Sequence, residues 1–243
     1  MTRIPVVAAL FVCMASPLSW CESIRSEESP QSTRGWGTMA VVALSDLVDL
    51  ATVVGGGWHS LGLRADGSIV AWGANDYGQC DVPSPNAGFV AVAAGALHSM
   101  GLKRDGSIVA WGFNGFMQCD VPSPNADFVA IAAGALHSMG LRRDGSVAAW
   151  RHGKYGQCDV PSPNADFIAV AAGHQHSLGL KADGSIVAWG ANDYGQCDVP
   201  SPTADFIAVA GGGKHSLGLK ADGSIVAWGQ CAVPDPTREL GAR

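Results

Sequence analysis

The chain has 243 residues, 47% of them hydrophobic and 15% charged, with 32 glycines and a net charge of −6. A charged share below the usual ~25% excludes global disorder, which needs low hydrophobicity and high charge. So much glycine argues against a helical bundle, since glycine costs about 1 kcal/mol inside a helix. No basic cluster is present to neutralise phosphates, so nucleic acid is not an expected partner.

Residues 1–21 read as an export signal, with Arg3 ahead of an apolar run from Ile4 to Ala15. That run is shorter than the ~20 residues of a membrane helix. Cleavage is expected after Ala15 or nearer Cys21, and the mature chain is expected to be secreted or periplasmic, with no integral membrane segment. Leu18-Ser19-Trp20-Cys21 resembles a lipoprotein cleavage box, but Trp20 stands where that box takes a small residue. Residues 22–35 are polar and serine-rich and read as a disordered linker. A repeat domain is expected over 36–233, with a polar tail over 234–243.

Within that domain Trp72, Trp111, Trp150, Trp189 and Trp228 recur every 39 residues, as do His59, His98, His137, His176 and His215. Cys80, Cys119, Cys158 and Cys197 keep the same period, and Cys231 falls five residues early. Segments 63–85 and 180–202 differ only at Arg64 and Lys181. Five full units are expected, with a partial one ahead of them suggested by Gly35-Trp36-Gly37 and by Asp49, two periods before Asp127.

Each unit reads the same way. FVAVAAG (89–95) is a continuous apolar run, predicted as a strand buried on both faces. HSMGLKR (98–104) alternates, placing Met100 and Leu102 on one face. Asp105-Gly106 predicts a two-residue hairpin turn, and SIVAWG (107–112) the return strand. A loop with Pro122 and Pro124 leads to the next unit.

A three-stranded sheet with two apolar faces must stack on copies of itself. Units of this size with several strands predict an all-β fold, a β-propeller of three-stranded blades, as a closed or an incomplete ring. The small residues Ala91, Ala93, Ala94 and Gly95 suit the crowded centre, and the tryptophans the wedge between blades. Burying one tryptophan contributes at most about 4–6 kcal/mol.

The run AAGxxHSLGLKADGSIVAWGxNxxGQ resembles the regulator of chromosome condensation repeat family, in the compact bacterial type of the β-lactamase inhibitory proteins. The resemblance implies a β-propeller, usually of seven blades, and a structural role for the repeated histidine. The expected function is a non-enzymatic exported scaffold that binds a protein or ligand through its variable loops; the resemblance adds two alternatives, an inhibitor of an extracellular enzyme such as a β-lactamase and guanine-nucleotide exchange on a small GTPase.

No catalytic residue, cofactor or metal is expected. The five histidines occupy equivalent places in different units and read as satisfied structural residues, since metal binding needs three nitrogens around one ion. His98-Ser99 and its equivalents lack the glycine of a nucleophile elbow, and adjacent strand residues point to opposite faces. The spaced cysteines sit in successive blades, too far apart for disulfides, and read as buried thiols. Gly55-Gly56-Gly57 and Gly211-Gly212-Gly213 lack the glycine and lysine spacing of a phosphate loop.

The informative positions are those that break the repeat. Before the histidines stand Trp58, Leu97, Leu136, His174-Gln175 and Lys214; in the loops after the tryptophans stand Phe113, Phe116, His152 and Lys154. A constant scaffold with variable loop tips is how binding surfaces are built, and aromatic residues are typical anchors. These ten positions are the predicted binding residues, for an unidentified protein partner.

Overall fold

The computed structural model describes residues 39–40, 42, 47–151 and 153–230. The predicted signal, linker and tail, Gly35-Trp36-Gly37, His152 and Cys231 lie outside the described residues. Within them the secondary structure is all-β, without an α-helix.

Five antiparallel sheets follow one another along the chain. Blade 1 holds β1 (Met39–Ala40), β2 (Leu50–Gly55), β3 (His59–Arg64) and β4 (Ile69–Ala74), in the order β1-β4-β3-β2. Residues 39–40 thus extend the edge of blade 1. Blade 2 holds β5 (Phe89–Ala94), β6 (His98–Lys103) and β7 (Ile108–Gly112); blade 3 holds β8 (Phe128–Ala133), β9 (Ser138–Arg142) and β10 (Val147–Trp150). Blade 4 holds β11 (Phe167–Ala172), β12 (His176–Lys181) and β13 (Ile186–Gly190); blade 5 holds β14 (Phe206–Gly211), β15 (His215–Lys220) and β16 (Ile225–Gly229).

The middle strand of each blade packs on the first strand of the next, as β3 on β5 and β12 on β14. Four apolar clusters fill these interfaces. Leu61, Leu63 and Ile69 of blade 1 meet Phe89, Val92 and Trp111 of blade 2, and Leu178, Leu180 and Ile186 of blade 4 meet Phe206 and Trp228 of blade 5. The first strands are innermost: Gly55, Gly56, Gly57, Ala94, Gly95, Ala133, Gly134, Ala172 and Gly211 surround one central void of about 80 Å³. Blades approach closely there. A Cβ on Gly95 would sit 2.6 Å from the Gly134 carbonyl oxygen and 2.4 Å from His98 Nδ1, so only glycine fits.

Two local expectations are corrected. The first strand is not buried on both faces throughout: Val90, Val129, Ile168 and Ile207 are exposed. The register shifts there, between Phe89 and Ala91 and at the equivalent points, and the bulge turns the extra residue out of the interface. The hairpin turn also has three residues rather than two. Lys103 N–H donates to Ser107 O at 2.8 Å around Arg104-Asp105-Gly106, and of these only Gly106 has a positive φ, +85°. Asp105 instead accepts from Ser107 N–H (2.9 Å) and Oγ–H (2.7 Å), which holds the turn from its side chain.

Candidate binding face

The variable positions lie on two connections at one end of each blade, and hydrogen bonds join the two. Ala74 N–H donates to Trp58 O (2.9 Å), Phe113 to Leu97 O (2.9 Å), Ala191 to Gln175 O (2.9 Å) and Gln230 to Lys214 O (2.8 Å). The residues before each histidine therefore share one rim with the loops after each tryptophan.

Below this rim runs a network repeated at every interface. Ser99 Oγ–H donates to Gln79 O at 2.8 Å, so the Oγ lone pairs are left to accept from His59 Nε2–H, also at 2.8 Å. Trp111 Nε1–H donates to the same Gln79 oxygen at 3.0 Å. The same set recurs as His98–Ser138–Gln118–Trp150, His137–Ser177–Gln157–Trp189 and His176–Ser216–Gln196–Trp228. Each of these four histidines thus pairs with the serine of the next blade, not with its neighbour in sequence. Burial holds the pKa down to about 4 for His59, His98 and His176, and to about 3 for His137. Those rings are neutral at pH 7, and their Nδ1 atoms are buried without a hydrogen-bond partner.

The glutamines connect this network to the loop tips. Gln79 Oε1 accepts from Tyr77 N–H, and Gln118 Oε1 from Phe116 N–H, both at 3.0 Å. Asn75 and Asn114 anchor the same loops, each accepting from a cysteine N–H and donating to an aspartate. In blade 3 the equivalent residue is Gly153, so that loop lacks the anchor. Cys80, Cys119, Cys158 and Cys197 are free thiols, raised by burial to about 11 and so protonated at neutral pH. Among the described residues no group of three His, Cys, Asp or Glu could hold a metal ion.

The tips assemble an aromatic surface. Phe113 packs edge-on against Tyr77 (ring centroids 4.9 Å apart) and Phe116 (5.8 Å). Phe116 is 40% exposed, Met117 61% and Trp58 66%. Lys154 lies over the Tyr155 ring; Lys214 lies 4.1 Å from the Tyr194 ring centroid and donates to its hydroxyl at 2.9 Å. Leu97, Leu136 and Gln175 are partly buried, and His174 is exposed. Tyr77, Met117 and Tyr194 were not among the predicted positions. For the tyrosines the signal was present, since residues 77, 116, 155 and 194 are equivalent and aromatic in the first four units; Met117 stands where the other three have glycine.

The sequence profile described as regulator of chromosome condensation (RCC1) repeat matches residues 51–79, 89–118 and 167–196. No curated protein sequence matches. Among solved structures, Prp20p from Saccharomyces cerevisiae is similar at 24% identity and a TM-score of 0.64, over 76% of this chain and 58% of that one. The ectodomain of the receptor kinase CR4 from Physcomitrella patens gives 24% and 0.66, over 76% and 53%. The ectodomain of the Arabidopsis thaliana receptor kinase ACR4 gives 24% and 0.60, over 76% and 66%. The chain thus spans little more than half the length of the first two, and the likeness is one of fold. Blades 1, 2 and 4 thus carry segments that match the regulator of chromosome condensation repeat, in a fold shared with proteins built of that repeat.

Proposed function

We propose that the chain is a non-enzymatic, exported scaffold that binds a protein partner through the aromatic rim. The observation that carries this reading is the cluster of Tyr77, Phe113 and Phe116, near-solvent aromatics held by buried glutamines on a repeated frame. Large rigid rings that need little ordering on contact are effective anchors. Prp20p is described as binding Gsp1p and histones, which supports protein binding as a use of this fold. The repeated serines donate their hydroxyl protons to backbone carbonyls and are buried, which supports a reading without nucleophilic chemistry.

The test is capture of proteins by the full chain and by a Trp58→Ala/Phe113→Ala/Phe116→Ala variant. Loss of a specific partner with an unchanged melting curve is the expected result. Equal capture by both proteins would remove the rim as the site. Purified β-lactamase and a purified small GTPase, offered as separate baits, test the inhibitor and exchange-factor versions. Sequencing the N-terminus of secreted material tests export.

A further inference from the structure

Each of the four interfaces joins two unlike faces. One carries the Leu/Met, Leu and Ile/Val residues and the histidine; the other carries the phenylalanine of the first strand, the tryptophan and the serine. Five blades joined in series by such interfaces leave one face of each kind. Among the described residues nothing covers the histidine-bearing face of blade 5. Ile225 is 55% exposed, whereas Ile69, Ile108 and Ile186 are 3–5% exposed. Leu217 and Leu219 are partly exposed, and with Ala208, Ala210 and Ile225 they line an open, wholly apolar hollow. On blade 1 the other face is incomplete. Trp72 is partly exposed, and its Nε1 lacks the glutamine carbonyl that Trp111, Trp150, Trp189 and Trp228 each have. Ser60 has no histidine donor, and His215 no serine acceptor, among the described residues.

We infer that the uncovered face of blade 5 receives blade 1 of a second copy of this chain. The occupant follows from the chemistry. What fits a face of this kind is, at four places in this molecule, a face with a phenylalanine, a tryptophan and a serine; on blade 1 Leu50 stands at the phenylalanine's place beside Trp72 and Ser60. The chain presents one such face unfilled. Docking would place His215 Nε2 against the second copy's equivalent of Ser60 and cover Ile225. The contact joins two different surfaces, so it propagates head to tail, closing into a ring or extending as an open chain.

The test uses the full chain, with mass measured by light scattering or sedimentation over a range of concentrations. The wild type gains mass by at least about twofold as concentration rises. Ile225→Lys, which charges only the blade 5 face, and Ser60→Lys, which charges only the blade 1 face, each stay monomeric, with circular dichroism showing that both remain folded. Mixed in equal amounts, they form a one-to-one dimer and nothing larger, because each brings the face the other lacks. A wild type that is monomeric throughout overturns the inference, as it would if another segment of the chain covered blade 5. Self-association of either variant alone, or failure of the mixture to dimerise, overturns it as well.

Discussion

At the scale of single residues, stability between blades is directional as well as apolar. Ser138 Oγ accepts from His98 and donates to Gln118 O, and it is completely buried. Ser138→Ala strands a buried N–H and half of a carbonyl's bonding, and is expected to cost about 1–3 kcal/mol in urea unfolding. Ser60 holds the equivalent position on blade 1 with neither partner among the described residues. Ser60→Ala in dilute solution is expected to stay within about 0.5 kcal/mol of the wild type. Equal losses for the two would show that the network contributes nothing. The neutral histidines add a pH dependence. Unfolded histidine takes its proton near 6.5, but His59, His98 and His176 take theirs near 4 and His137 near 3 in the folded chain. Between these values the unfolded state binds more protons. Stability is therefore steady above pH 6.5, falls as pH drops towards 4, and levels off below the folded values. Each such ring contributes up to about 1.4 kcal/mol per pH unit in that window. Unfolding free energies at pH 7.5, 6 and 5 check this, and His98→Gln should make the fall shallower by about one proton.

At the scale of the strand and its turn, backbone conformation separates two glycines. Gly106 closes the β6–β7 hairpin at φ +85°, where a Cβ would lie 3.0 Å from the backbone nitrogen of Asp127. Gly106→Ala is expected to cost about 1–2 kcal/mol. Gly88 also has a positive φ, 74°, but a Cβ there meets nothing within 4 Å, and Asp49, Asp127, Asp166 and Asp205 hold the same place at φ 59–70°. Gly88→Asp is expected to change stability by less than about 1 kcal/mol, since aspartate tolerates this region. Thermal melts of the two variants decide whether these turns are governed by φ. The hairpins themselves were legible because the 39-residue period fixes strand, turn and strand five times over. The bulge at Val90 was not, because one extra residue in a run of valine and alanine leaves no mark in the composition. The three-residue turn was missed because Asp-Gly also suits a two-residue loop, and the choice depends on cross-strand register. At the proposed binding rim, breaks in the repeat pointed to Trp58, Phe113 and Phe116, whereas Tyr77 was hidden by belonging to the repeat.

At the scale of the whole molecule, pairing between blades was the part least legible in the sequence. A period shows that units are alike, but not that His59 reaches forward 40 residues to Ser99, nor which faces the series leaves uncovered. The structure makes stability depend on a blade's place in the series, as in other stacked repeats. Trp189 is buried against blade 3 and bonds to Gln157 O, so it has both the packing and the polar partner. Trp72 has the same sequence context on blade 1, but it is partly exposed and has no such carbonyl among the described residues. Trp189→Ala is expected to cost roughly 3–5 kcal/mol. Trp72→Ala, measured in the same dilute buffer, is expected to cost clearly less, because it removes less buried area and no buried hydrogen bond. The contrast isolates position in the stack from residue identity, since IVAW is the sequence around both rings. If the two tryptophans proved equally costly, blade 1 would have to be covered as completely as blade 4. The series of blades would then have no free end on that side.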